Sequence, residues 1–188
     1  MTDPQLEKSS AGTDDSGKNS GITAENVAAF YSRLKCFGVC GAAFLLADQL
    51  SKLLIVSRYQ LHESTPVIPD IFSITYVRNH GAAWGMFAGH GWFLLLVAVV
   101  VVGAMLKFFR YLTEGYFERE LSLFMILAGV FGNSIDRVWR GSVVDFLDFH
   151  YKNIWSYPVF NIADIAICCG VGIFILSGFI RPERKIEK

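Results

Sequence analysis

The sequence predicts an α-helical membrane protein, a bundle of four transmembrane helices with a strand-forming segment outside the lipid. Three observations predict it. Only 18% of the 188 residues are charged while 53% are hydrophobic, where a soluble domain carries roughly 25% charged residues, and mean hydropathy is +0.39. Lys plus Arg and Asp plus Glu stand at 17 each, so no excess charge would keep so apolar a chain dispersed in water. Finally, four stretches hold no Asp, Glu, Lys or Arg: Cys36–Ala47, Asn79–Leu106, Leu121–Ile135 and Ile165–Ile180. The charge balance also excludes nucleic-acid binding through a basic face, and the apolar content excludes disorder of the whole chain.

Each span follows from length. A bilayer core takes about 20 helical residues. The second stretch, with WFLLLVAVVVVGAML at Trp92–Leu106, reaches that length unaided. The others reach it by accepting Asp48, Asp136 and Asp164 near one end. The expected spans are 35–56, 91–110, 120–139 and 160–180. Residues 1–28, rich in Ser, Gly and Asp, read as a disordered cytoplasmic tail, and 29–188 as the four-helix domain. The tail lacks the apolar run of a secretory signal.

Basic residues near the span ends set the topology. One side holds Arg33, Lys35, Lys107, Arg110, Arg119, Arg181, Arg184, Lys185 and Lys188, the other Arg58, Arg78, Arg137, Arg140 and Lys152. Nine against five places both termini in the cytoplasm. On the outer side, IFSITYVR at Ile71–Arg78 alternates as a strand after the Pro69–Asp70 turn, with Phe72, Ile74 and Tyr76 on a face that rests on the headgroups. Gly141–Pro158, rich in Phe, Tyr and Trp, reads as a second, interfacial element.

Antiparallel connectivity brings the intramembrane polar residues to one side. Asp48 and Lys52 lie late in the first span, Asn79 before the second, Asn133, Asp136 and Arg137 at the end of the third, and Asn161 and Asp164 at the start of the fourth, with Asp145 and Asp148 between the last two. All fall in or near the outer leaflet, and the inner halves read as apolar. Spacings of three or four residues put each pair on one helix stripe. A charge facing lipid costs at least about 2.5–3.5 kcal/mol, so the stripes should point inward. Carboxylates meeting in a low-dielectric pocket share a proton. One can then activate water while the other protonates a scissile carbonyl, the chemistry of aspartic proteases. Simpler roles stay open: a packing ion pair for Asp48–Lys52, a salt bridge and headgroup anchor for Asp136–Arg137, interhelical hydrogen bonds for Asn133 and Asn161, or ion passage.

Five blocks resemble those of bacterial lipoprotein signal peptidase, the signal peptidase II family. Asp48-Gln49-Leu50-Ser51-Lys52 resembles D-Q-x-S/T-K, Asn79-His80-Gly81-Ala82-Ala83 resembles N-x-G-A-A, and Gly132-Asn133-Ser134-Ile135-Asp136-Arg137 resembles G-N-x-x-D-R. Val143-Val144-Asp145-Phe146 resembles V-V-D-F, and Pro158-Val159-Phe160-Asn161-Ile162-Ala163-Asp164 resembles P-x-F-N-x-A-D. The resemblance spans Arg33 to Arg181. It implies a four-helix membrane bundle with a small outer-face β-cradle and an interfacial helix. It implies Asp145 and Asp164 as the catalytic dyad, supported by Asp48, Lys52, Asn79, Gly81, Asn133, Asp136, Arg137 and Asn161. It implies an aspartic endopeptidase of the bacterial inner membrane, active site outward, cleaving diacylglyceryl-modified prolipoproteins before the lipidated Cys. No metal, cofactor or covalent intermediate is expected; membrane lipid and the prolipoprotein are the expected partners, and the enzyme is expected to be a monomer. The chain departs from the pattern at Trp84-Gly85, where Phe-Ser is usual, and at Ala128, where Gly is common.

Other signals carry less. Cys36, Cys40, Cys168 and Cys169 lack zinc-ligand spacing and read as small apolar filler. His62, His80, His90 and His150 are scattered outer-surface residues without a metalloprotease motif. Ser32–Lys35 matches S-x-x-K at the cytoplasmic mouth, without companion motifs. Gly81, Gly85 and Gly89 read as loop flexibility rather than a helix-dimer motif. The rival readings are a proton- or cation-conducting protein relaying through Asp48, Lys52 and Asp164, which would need polar groups through both leaflets, and a non-catalytic lipid-binding scaffold.

Overall fold

A computed structural model describes residues 24–82, 86–152 and 154–181. Residues 1–23 of the expected tail, Ala83 of the second block with the Trp84-Gly85 that follow it, and the basic residues Arg184, Lys185 and Lys188 lie outside the described residues. The elements run α1 (Ala24–Arg58), β1 (Ser64–Ile68), β2 (Phe72–Asn79), α2 (Gly91–Lys107), α3 (Phe109–Thr113), α4 (Phe117–Arg140), β3 (Val143–Tyr151), β4 (Trp155–Ser156) and α5 (Ile162–Ile180).

Among the described residues three helices are long and apolar enough to cross a membrane, in α1, α4 and α5, and α2 is a shorter apolar helix. At 1.5 Å per residue, α4 is about 36 Å long and α5 about 28 Å, matching a hydrocarbon core of about 30 Å. Helix α2 is apolar all round and buries only Met105, the profile of a helix facing lipid. It stops at Lys107, short of the expected 110. The chain breaks at Phe108 and enters α3.

Helix α4 is the centre of the bundle, packing on α5, α1 and α2. Small residues permit the close approach to α5. A Cβ on Gly129 would run into the Ala163 carbonyl and the Ile167 side chain, and one on Gly170 would sit 2.7 Å from the Ser122 carbonyl oxygen. Without a hydrophobic driving force inside lipid, such backbone proximity is a main source of helix–helix attraction. Gly141 ends α4 in the left-handed conformation, at φ 72°, where a glycine carries no Cβ penalty. The chain thereby turns back into β3.

The four strands form one antiparallel sheet in the order β1-β2-β3-β4. The β2–β3 register shifts between Ile74 and Val77, which leaves Val77 opposite Asp145. Ile55 at the end of α1 packs with Tyr76, Val144 and Phe146, seating the sheet on the helix. Tyr76 is therefore buried against α1 rather than laid on headgroups; Ile74 shares its cluster, as the alternation predicts. The second outer element is built of strands, and the correction concerns only the interfacial helix that the resemblance implies. Val143–Tyr151 is a strand completing the sheet, and among the described residues no interfacial helix lies between α1 and α2 or between α4 and α5. The open side of β2 needs a hydrogen-bonding partner, and the β-branched and aromatic residues of VVDFLDFHY suit one.

A further correction concerns the end of the bundle opposite the sheet, which is not apolar. Because α4 starts at Phe117, Glu118, Arg119 and Glu120 fall inside the helix. The Arg119 Nε donates to Ser177 Oγ at 3.2 Å, and Arg181 Nε donates to Glu118 Oε1 at 2.7 Å, clasping α4 to α5. Glu120 is fully buried; among the described residues neither carboxylate oxygen has a hydrogen-bond partner, and the Arg33 guanidinium stands 3.6 Å away. Burying a carboxylate without hydrogen bonds can cost more than one ion pair at 3.6 Å returns. Replacing both partners, as Arg33→Leu with Glu120→Leu, should accordingly leave the melting temperature in detergent unchanged or raise it, by up to about 1–4 kcal/mol. A lowered melting temperature would show that the Arg33 contact holds α1 in place.

Candidate active site

The site lies at the sheet end, where α1 finishes, α4 finishes and α5 begins. Asp145 projects from β3, and Asp164 stands in the first turn of α5. Asn161 joins them. As the N-cap of α5 it forms a capping box: its Oδ1 accepts from Asp164 N at 3.0 Å while its own N–H donates to Asp164 Oδ2 at 3.1 Å. Its side-chain amide donates to Asp145 Oδ1 at 2.7 Å. One residue thus grips both carboxylates, by main chain and side chain. The cap also satisfies helix-terminal N–H groups that would otherwise be orphaned.

The remaining oxygens are held from either side. Asn133 Nδ2 donates to Asp164 Oδ1 at 2.8 Å and Asn79 Nδ2 to Asp145 Oδ2 at 3.0 Å. Asn79 Oδ1 in turn accepts from Gly81 N at 2.9 Å, and Arg137 Nη2 donates to the Gly81 carbonyl at 2.9 Å. Gly81 admits no side chain: a Cβ there would lie 2.5 Å from the Met86 carbonyl oxygen.

A second layer lies behind. Lys52 Nζ meets Asp48 Oδ2 and Asp136 Oδ2, each at 2.9 Å, with Lys52 wholly enclosed. Asp48 Oδ1 accepts from Ala163 N at 2.9 Å, tying α1 to α5. Asp136 Oδ2 accepts from Val144 N at 3.2 Å, tying α4 to the residue before Asp145. Asp136 also pairs with Arg140. The salt bridge suggested for Asp136–Arg137 is thus replaced by pairs to Lys52 and Arg140. Adjacent residues on a helix point about 100° apart, and Arg137 faces the Gly81 loop instead.

All ten expected site residues therefore meet in one region. Two contributors were not picked out from the sequence. Arg140 stands four residues beyond Asp136, the spacing that flagged Asp48–Lys52. Gln49 Nε2 donates to Asp48 Oδ2 at 3.0 Å and to the Gly132 carbonyl at 3.1 Å, and its only sequence signal is membership of the first block. Gly132 is equally constrained, since a Cβ there would lie 2.5 Å from Asp48 Oδ2. The four cysteines are all free, and Cys36, Cys168 and Cys169 lie exposed on helix surfaces.

The dyad lies at the head of a cavity of about 790 Å³. Asn79, Gly81, Asn133, Arg137, Asp145 and Asp164 line its polar end. Its apolar limb runs between α2, α4 and α5, past Val97, Val101, Val130 and Ile167. Helix α2 packs on α4 and makes no comparable contact with α5 among the described residues, which leaves this limb room between them. Asp145 is 2% exposed. Burial first, and then the Asp164 charge, push its carboxyl up to about 7, because both disfavour ionisation. Asp48, Asp136, Lys52 and Arg140 balance one another. With a proton on Asp145, Arg137 balances Asp164, so the buried cluster is neutral in that form.

The comparisons with known proteins agree with this arrangement. A family model described as Signal peptidase (SPase) II matches residues 40–180. The lipoprotein signal peptidase of Haemophilus influenzae (strain Rd) is 39% identical over 163 residues, covering 83% of this chain and 92% of that protein. That of Geobacter metallireducens is 40% identical over 157 residues, covering 82% and 96%. A bacterial membrane enzyme solved by the in meso method at 2.3 Å superposes with a TM-score of 0.72 at 29% identity, covering 81% of this chain and 95% of that one. With most of the chain matched in sequence and in fold, the protein belongs to the signal peptidase II family of membrane aspartic proteases.

Proposed function

We propose that this protein cleaves the signal peptide from diacylglyceryl-modified prolipoproteins, on the N-terminal side of the lipidated Cys, with Asp145 and Asp164 as the catalytic dyad. The observation that carries the proposal is the pair of carboxylates bound to one Asn161 at the head of a cavity whose other limb is apolar. The substrate would enter from the bilayer between α2 and α5, its acyl chains staying among lipid tails. Keeping them there saves about 0.8 kcal/mol per CH₂ that extraction would cost. With α2 as the fourth span the domain is a four-helix bundle, and its sheet forms a cradle beside the substrate. The basic side chains near the opposite end support both termini in the cytoplasm and an active site toward the outer face.

Chemically, the dyad holds one proton. Asp145 carries it near neutral pH, and Asp164 takes a proton from water as that water attacks the scissile carbonyl. Asp145 gives its proton to the carbonyl oxygen. Collapse of the tetrahedral species returns a proton to the leaving nitrogen. The amides of Asn79, Asn133 and Asn161 hold both carboxylates in place throughout, so little reorganisation accompanies the step. Asp48, Lys52, Asp136 and Arg137 fix the surrounding elements rather than react.

The test is purified protein in detergent with a prolipoprotein offered with and without its diacylglyceryl group. Release of signal peptide from the lipidated form, and little from the other, is expected. Proton uptake into liposomes without cleavage of either form would replace this reading with ion passage.

A pH dependence follows from Asp145. The folded carboxyl titrates near 7 and the unfolded one near about 3.9. The active form needs the proton, so kcat/KM should fall as pH rises through about 7. Stability moves the same way. Between the two values the folded state binds more protons, so stability declines as pH rises from about 4 towards 7. Asp145→Asn should reduce this slope in melting curves taken across that window; an unchanged slope would assign it to other groups.

A further inference from the structure

We infer that Lys52 is a positioning residue for the reaction: it locks the amide of Asn133 in the one orientation that presents N–H to Asp164. The inference rests on the dyad reading above. Lys52 Nζ has three N–H donors and three acceptors, Asp48 Oδ2 and Asp136 Oδ2 at 2.9 Å each and Asn133 Oδ1 at 3.0 Å. The ammonium is saturated and fully enclosed, and Lys52 is not part of the cavity wall. It therefore has no donor left for substrate and no route to it, which rules out a direct contact.

The third acceptor carries the argument. Two carboxylates would suffice to balance the charge locally, yet the ammonium also bonds a neutral amide oxygen. That oxygen accepts a second bond from Asn161 Nδ2 at 3.1 Å. Both lone pairs of Asn133 Oδ1 are thereby filled by donors. A flipped Asn133 would set its NH₂ group against an ammonium and another NH₂, and its carbonyl against the Asp164 carboxylate. All three contacts would be repulsive, so the amide has one polarity. Its Nδ2 is left to donate to Asp164 Oδ1 at 2.8 Å. Asp48 and Asp136 hold the lysine, the lysine holds Asn133, and Asn133 holds Asp164. The charged groups facing this chain are Asp48 from α1, Asp136, Arg137 and Arg140 from α4, Asp145 from β3 and Asp164 itself.

Two variants test the inference. Lys52→Met with Asp48→Asn removes one positive and one negative charge together, so no net charge is stranded. Asn133→Asp keeps two good acceptors for Lys52 and Asn161 but has no N–H for Asp164. Both are measured for kcat and KM on a lipidated prolipoprotein, for the pH–rate profile and for melting temperature. The expected result is a kcat lowered about 100-fold, the cost of a small misplacement at the reacting group, with KM little changed. The alkaline limb of the pH–rate profile should move in both. Wild-type kcat in the paired variant would overturn the inference. If that variant does not fold, Lys52→Met with Asp136→Asn, likewise charge-balanced, decides: wild-type kcat and profile overturn the inference, and a lowered kcat with a moved profile supports it, whereas Asn133→Asp alone reports only on the Asn133–Asp164 bond. A lowered melting temperature with unmoved kcat and pH profile would make Lys52 purely structural, which also overturns it. Cleavage by Asp145→Asn or Asp164→Asn would mean that the dyad reading has failed, whatever Lys52 does.

Discussion

Asp145→Asn and Asp164→Asn should each yield a protein that inserts and folds but does not cleave prolipoprotein. The replacement keeps the shape of the side chain and removes the titratable proton. For Asp145 it removes the group that would protonate the carbonyl oxygen; for Asp164, the group that would take the proton from water. Loss of positioned acid–base catalysis alone costs about 10²–10⁴-fold. Losing either member of a pair that shares one proton should abolish the shared function, so cleavage is expected to fall below detection. Folding should survive because the new side chain keeps one oxygen that can accept from a neighbouring amide. The measurement is signal-peptide release, with melting temperature recorded beside it. Full activity in either purified variant would remove that residue from the dyad.

The second large effect is expected at Asn161. Asn161→Ala withdraws the donor to Asp145 Oδ1, the cap that accepts from Asp164 N, and the donor to Asn133 Oδ1. The cap alone is worth about 1 kcal/mol, and each buried partner left unsatisfied costs about 1–3 kcal/mol more. Both carboxylates lose their common support, so the geometry between them loosens. Cleavage should fall at least about 100-fold, and the melting temperature should drop by several degrees. Asn161→Asp separates the two effects. The carboxylate can still cap α5, but it sets a third acid beside Asp145, so stability at low pH should largely recover while activity does not. Retention of wild-type cleavage in Asn161→Ala would show that Asn79 and Asn133 position the dyad without it.

Much of this site was legible because it depends on little besides connectivity. An antiparallel bundle forces the end of α1, the end of α4 and the start of α5 together, and Asp48, Asn133, Asp136, Asn161 and Asp164 sit at those ends. Pairings inside the cluster were less legible. Asp136 chooses Lys52 and Arg140 over its sequence neighbour Arg137 because helix geometry turns Arg137 toward the Gly81 loop. That loop's position depends on contacts far away in sequence. The polar cluster around Glu120 was missed because the expected span began at 120, which left Arg119 outside it; the helix begins at Phe117. Gly141–Pro158 was read as interfacial from its Phe, Tyr and Trp, and strand β3 inside it was missed because Val143–Tyr151 shows no clean polar–apolar alternation. One face, with Val144 and Phe146, packs against α1, and the other carries Asp145 into the buried site. A strand covered on both faces loses its period-two signature. The extra residue in β2 that sets Val77 opposite Asp145 had no local signal either.

The central claim is that two carboxylates activate water directly to release a signal peptide ahead of a lipidated cysteine. Single-turnover cleavage of a diacylglyceryl prolipoprotein in heavy-oxygen water, followed by mass spectrometry of both products and of the enzyme, tests it most directly. The predicted result is a peptide ending at the residue before the lipidated Cys with one heavy oxygen in its new carboxylate, a free amine on that Cys, and an enzyme of unchanged mass at every time point. An intact substrate, a cut elsewhere, or an enzyme that transiently gains the mass of the peptide would contradict it.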